Sequence, residues 1–298
     1  MRFRVFIVGA GLFAASVAPA SALTFSFSQI AGTTLTSDET AAFQTAANAW
    51  ASVFTDKVTV NVQIGFTALG TNILGGTAAT FVTASGTAVK SLLTADRKDG
   101  TDIAAVSSLT GQPLPSTVAM TSAEARALGF TTAGVTSDGS IEFSTAYTYS
   151  TSRDANGNVA AGTYDLVGIA EHEIGHLLGF DSSIDGGTSG ISTLLDAFRF
   201  SSPGTRSITT GAAYFSLTDG ATSIASFSDG TTYQASHWLQ GTGGLMDPAL
   251  ALGSTENITG LDITALDAIG WDVPEPASIT VFALGLAGLR AIRRRRRR

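Results

Sequence analysis

The chain has 298 residues, no cysteine, 44% hydrophobic residues and only 14% charged ones. This length supports one large domain or two subdomains around a shared cleft, and the composition excludes a disordered polyelectrolyte. The missing cysteines exclude disulfides and thiolate metal ligands. The net charge is -7, but nine of the 17 basic residues sit at the two ends (Arg2, Arg4, Arg290 and Arg293 to Arg298), leaving 8 against 24 acidic residues, a net of -16 for the body. Such a body repels phosphate backbones, so nucleic acid is not an expected partner.

The first 22 residues read as a signal peptide. Arg2 and Arg4 precede the apolar run Val5 to Val17, and Ala20-Ser21-Ala22 fits a small-x-small cleavage pattern. The mature chain is therefore expected to begin near Leu23. The letters Gly9-Ala10-Gly11-Leu12-Phe13-Ala14 match a dinucleotide fingerprint, but no acidic residue follows about 20 positions later, as that fingerprint needs.

Thr36 and Glu39 have capping-box spacing, and Phe43, Ala46, Ala47, Trp50, Val53 and Phe54 recur at helical intervals behind them. Val58, Val60, Val62, Ile64 and Phe66 alternate with polar residues or glycine, which predicts a one-faced strand. Thr121, Glu124 and Gly129 mark a short capped helix, and Ile141 and Phe143 alternate as a further strand. Asp154-Ala155-Asn156-Gly157-Asn158 begins like a calcium loop but lacks its glycine and its glutamate, so an Asn-Gly turn is expected. Phe215 to Thr218, Asp219-Gly220, and Ile224 to Phe227 read as a hairpin.

Leu166 to Leu178 is the strongest helix signal. His172-Glu173-Ile174-Gly175-His176 lies on it, with the two histidines one turn apart on one side. Both imidazoles can reach one Zn²⁺, and Glu173 is placed to activate a water for attack on a carbonyl. Gly179 fits a helix stop. A catalytic zinc site normally takes three protein ligands. The chain has three histidines, and His237 is the third; Asp181 and Asp185 are the competing candidates.

These residues resemble the metzincin zinc peptidases: His172-Glu173-Ile174-Gly175-His176-Leu177-Leu178-Gly179 matches their motif through its glycine. The compact form of that motif would put a histidine at position 182, where Ser182 stands. The chain is similar instead to the leishmanolysin-type branch, in which an insertion separates the helix from a His-Trp pair and a methionine turn. Here His237-Trp238 precedes Leu245-Met246-Asp247-Pro248. The resemblance implies that Met246 forms an apolar floor beneath zinc, with a closing helix, Ile258 to Trp271, packed below it.

The end of the chain resembles the PEP-CTERM sorting signal of Gram-negative bacteria: Val273-Pro274-Glu275-Pro276, the apolar stretch Ala277 to Leu289, then arginines. That resemblance implies export across the inner membrane, a sorting peptidase acting at Pro274 to Pro276, and delivery to the cell surface or matrix. The stretch has 13 residues, about 20 Å of helix at about 1.5 Å per residue, against a hydrocarbon core about 30 Å thick. This predicts a transient membrane anchor with its arginines in the cytoplasm; a permanent transmembrane helix is the alternative.

The expected fold is α+β, a metzincin-like two-subdomain zinc peptidase with a twisted sheet and the active-site helix in its upper half. Residues 23–272 form the peptidase domain, upper half 23–180 and lower half 181–272, and 273–298 form the sorting segment. The expected function is an exported zinc-dependent endopeptidase acting on protein or peptide. His172, His176 and His237 are the metal ligands, Glu173 the general base, and Met246 and Gly179 supporting residues. The alternatives are a surface or matrix-binding protein with a structural zinc, and a zinc hydrolase of other amides or esters.

Overall fold

The computed structural model describes residues 23–186 and 192–274. The signal-peptide and anchor readings fall outside these residues. Among the described residues no helix is long and apolar enough to cross a membrane.

Strand β1 (Thr24–Gln29) leads into α1 (Ser37–Ala51). Thr36 and Glu39 form the expected reciprocal capping box, and Ala42, Phe43, Ala46, Ala47 and Trp50 form the buried face. The helix stops before Val53 and Phe54, although Phe54 is still buried and stacks on Trp50. Then come β2 (Thr59–Thr67), β3 (Gly75–Ala79), β4 (Phe81–Ser85), α2 (Gly86–Asp96) and α3 (Gly100–Gly111). They are followed by β5 (Thr117–Thr121), α4 (Ser122–Ala127), β6 (Gly139–Ser144), β7 (Tyr149–Ser150) and β8 (Tyr164–Asp165).

The expected strand is β2, with Val60, Val62 and Ile64 buried. Thr121 and Glu124 cap α4 as expected, and Gly129 ends it with φ +75. Asp154 collects the backbone N–H groups of Asn156 and Asn158 around Gly157, so this segment is a turn.

The main sheet has the order β1-β2-β6-β3. β1, β2 and β6 run parallel, and β3 lies antiparallel at the edge. Helix α5 (Leu166–Leu177) packs against α1 and against β3 of this sheet, while Phe43 of α1 meets Phe143 of β6 directly. It is buried almost all round, so its polar residues must be matched one by one.

The second half adds β9 (Ser192–Thr193), a 3-10 turn at Leu195–Phe198, β10 (Arg199–Ser202), β11 (Thr205–Arg206), β12 (Ala213–Phe215), β13 (Ala225–Phe227) and α6 (Gly260–Asp267). Here β11-β10-β12-β13 form a small antiparallel sheet, while β9 joins β4 and β5 of the first half. The hairpin exists, but its first strand is Ala213–Phe215, two residues earlier than its letters suggested. Ser216 and Thr218 turn their side chains to each other and take the turn path instead. The closing helix is shorter than Ile258 to Trp271, because Thr259 and Asp262 fix its start and Gly270, with φ +108, turns the chain out. The architecture is thus mixed α+β, with several sheets and six α-helices among the described residues.

Candidate metal centre

Helix α5 ends as its sequence predicts. Gly179 has φ +112, its N–H donates to His176 O, and the Phe180 N–H reaches back to Gly175 O. That pair of bonds is a Schellman cap. The cap places the Phe180 carbonyl 2.6 Å from His176 Nδ1. The other two histidines have the same arrangement: His172 Nδ1 lies 2.8 Å from Leu245 O, and His237 Nδ1 lies 3.3 Å from Gln234 O.

A carbonyl oxygen only accepts, so each Nδ1 carries a hydrogen, and a ring in its neutral form presents a bare Nε2 lone pair. Those lone pairs converge. His172 Nε2 is 3.2 Å from His237 Nε2 and 3.2 Å from His176 Nε2. Nitrogens bound at about 2.0–2.1 Å to one tetrahedral centre lie about 3.3–3.4 Å apart. The donor set therefore fits zinc. Burial holds His176 down to about 3, aided by the charge of His172, and holds His237 well below the ordinary histidine range. Neutral imidazole is the ligating form.

Asp181 and Asp185 stand outside this cluster. Asp181 accepts the Ser182 N–H, and burial raises its carboxyl to about 7. Asp185 braces the backbone. Its two oxygens accept the N–H groups of Ala235 at 2.6 Å and Ser236 at 2.9 Å, fixing the segment that ends in His237. Arg199, fully buried, donates to the carbonyls of Ala235 and Ser228 in the same region and lies over the Phe227 ring. Nothing in the local pattern of Asp185 or Arg199 marked them for this role, because both partners are backbone groups about 30 to 50 residues away.

Glu173 lies beside the histidines and is buried. Its Oε2 is 2.8 Å from the Thr77 hydroxyl on β3, which also lies 2.9 Å from the Glu173 carbonyl oxygen. Burial raises the Glu173 carboxyl, opposed by His172 and by the Thr77 bond.

Met246 is fully buried below α5. A Cβ on Gly175 would lie 2.6 Å from Met246 Sδ, so glycine at 175 is what lets the methionine approach the helix. Asp262, also fully buried, organises this floor. It accepts Trp238 Nε1–H and the N–H groups of Leu245, Met246 and Thr259. One carboxylate thus ties the His-Trp pair, the methionine turn and the start of α6 together. Its sequence signal was available: Thr259 and Asp262 stand at capping-box spacing. The other tryptophans also serve this scaffold, Trp50 donating to Glu171 O and Trp271 to Leu178 O.

Residues 272–297 match the model of the PEP-CTERM protein-sorting motif. This motif is a sorting signal recognised by a sorting peptidase and marks the chain for export. No curated protein and no solved structure matches the chain.

Proposed function

We propose that the protein is an exported, zinc-dependent endopeptidase. The observation that carries this reading is the convergence of the three Nε2 atoms, that of His172 lying 3.2 Å from each of the other two, with every Nδ1 set against a carbonyl oxygen. Without a cation between them, three lone pairs so close together would repel. A zinc ion would supply a Lewis acid for a carbonyl and for the attacking water. His172, His176 and His237 would hold it, Glu173 would take a proton from the water and return it to the leaving amine, and Met246 would close the floor.

A peptide substrate is favoured over other amides or esters by the position of β3. This strand is a sheet edge, and its residues Gly75 and Thr77 both approach Glu173. An extended peptide can add to such an edge through main-chain hydrogen bonds, which brings its carbonyls past the base. Glu173 also weighs against a purely structural zinc, which needs no buried carboxylate beside it.

The test is metal content together with casein digestion. Wild type is expected to hold one zinc and cleave casein, while Glu173→Ala keeps the zinc and loses at least about 10²–10⁴-fold in turnover. Zinc-loaded wild type without any hydrolytic activity would favour the structural alternative.

A further inference from the structure

A second group of possible metal ligands lies away from the histidines. Asp99 and Asp102 stand at the start of α3, and Asp267 is the last residue of α6; one carboxylate oxygen from each lies within 4.8 Å of the others. Asp99 and Asp102 are already engaged in part. Asp99 Oδ1 accepts the N–H groups of Thr101 and Asp102, and Asp102 Oδ2 accepts those of Lys98 and Asp99. This leaves one oxygen on each without a backbone partner. Asp267 is different: it is 3% exposed, and although its side chain hydrogen-bonds Thr101, its Oδ1 is buried with no partner.

A buried carboxylate oxygen without a partner is costly, more so with two further carboxylates facing it. Lys98, next to Asp99 in the chain, pairs with Asp96 and Asp272 instead. Burial, then the charges of Asp99 and Asp102, raise the Asp267 carboxyl to about 8. Either a proton or a cation must answer that charge. Capping alone does not require Asp267, since the α3 box closes between Asp99 and Asp102.

We infer that Asp99, Asp102 and Asp267 form a calcium site that clips the end of α6 to the start of α3. The donors are all carboxylate oxygens, which suits a hard divalent cation and not a metal that prefers imidazole nitrogen. Backbone carbonyls and water complete calcium's coordination in such sites. The position has a consequence for the histidine centre. Helix α6 carries Asp262, which fixes Leu245, and Leu245 O receives the His172 Nδ1 hydrogen. Pinning α6 therefore steadies the floor of the centre. An exported protein meets enough calcium to fill a site with an affinity of about 10⁻⁴–10⁻³ M, the range of extracellular modules.

The test titrates calcium chloride into the full chain, following the melting midpoint and the heat of binding. Wild type is expected to bind one calcium and to melt later as calcium rises toward about 10 mM. Asp267→Asn and Asp99→Asn are expected to weaken binding by about tenfold or more as ligand charge is lost. Asparagine preserves the helix cap at 99, so that variant reports on the ion even where Asp267→Asn disturbs folding. His237→Ala is expected to keep the calcium response, which separates this site from the zinc reading. A wild-type midpoint and binding heat indifferent to calcium, or undiminished affinity in both asparagine variants, would overturn the inference and leave Asp267 as a buried neutral acid.

Discussion

Thr77 and Glu173 are joined across two elements, the hydroxyl of the edge strand lying 2.8 Å from the carboxylate and 2.9 Å from the carbonyl of the same residue. The edge strand and the histidine-bearing helix are thus locked in register at Glu173. Removing the hydroxyl should free the carboxylate to swing. A hydrogen bond to a charged group contributes roughly 1.5–3 kcal/mol, so Thr77→Val is expected to lower kcat/KM by about 10- to 100-fold with zinc retained. Thr77→Ser should restore most of it. Peptide kinetics on the three proteins check this, and a Thr77→Val enzyme with wild-type kcat/KM would remove Thr77 from the site.

His237→Ala is expected to lose activity and bind zinc much more weakly. Asp181→Ala should keep about one equivalent, since it lies outside the histidine cluster. Asp185→Asn should fall between them. It keeps its shape but weakens the hold on Ala235 and Ser236, and residues that orient a metal-binding histidine are commonly worth about 10–100-fold in metal affinity. Competition with a zinc chelator gives all three values. Full zinc affinity in His237→Ala would transfer the third-ligand role to an aspartate.

Gly175→Ala places a methyl group 2.6 Å from Met246 Sδ. Overpacking of this kind costs about 1–3 kcal/mol, read as a lower melting midpoint. Met246→Ala costs stability by itself through the cavity it leaves. Combined, the two changes should cost less than their sum, because the smaller side chain at 246 accepts the new methyl. Strict additivity would show that the two side chains do not meet.

Glu256 gives a pH dependence with a definite sign. Burial, then the charges of Asp247, Asp262 and Asp165, raise its carboxyl from 4.5 to about 8. A folded value above the unfolded one means that the folded state binds the proton more tightly. The associated stability is complete below about pH 4.5 and is lost as pH rises toward about 8. Glu256→Gln, which cannot ionise, should flatten the fall in melting midpoint between about pH 5 and 8. An identical pH profile for the two proteins would show that Glu256 ionises freely in the fold.

The sorting motif over residues 272–297 leads to a processing prediction. Protein isolated from its native cells is expected to end near Pro274 to Pro276. Mass spectrometry of the C-terminal peptide decides it. A mature form that still carries Ile279 to Arg298 would instead mark a tail-anchored protein.

The sequence by itself determined what is local. The Thr36–Glu39 and Thr121–Glu124 caps, the alternating strand at Val58 to Phe66 and the helix bearing His172, Glu173 and His176 each depend on residues within one or two turns of each other. Capping and periodicity are short-range and leave a direct imprint. The helix stop at Gly179 was equally legible, since a φ of +112 suits glycine and few other residues. The third histidine was reached only by resemblance and by scarcity, 61 positions beyond His176. Tertiary structure alone decided how His237 is held, through Asp185 and Arg199 on the backbone just before it. It also assigned Asp262, legible in sequence only as the cap partner of Thr259, its bonds to Trp238, Leu245 and Met246, Thr77 as the partner of Glu173, and Asp267 as the buried acid beside α3. In each case a side chain meets a distant backbone or carboxylate, and no spacing rule encodes such a meeting. It exists only because burial forces every polar group to find a partner once the elements have packed.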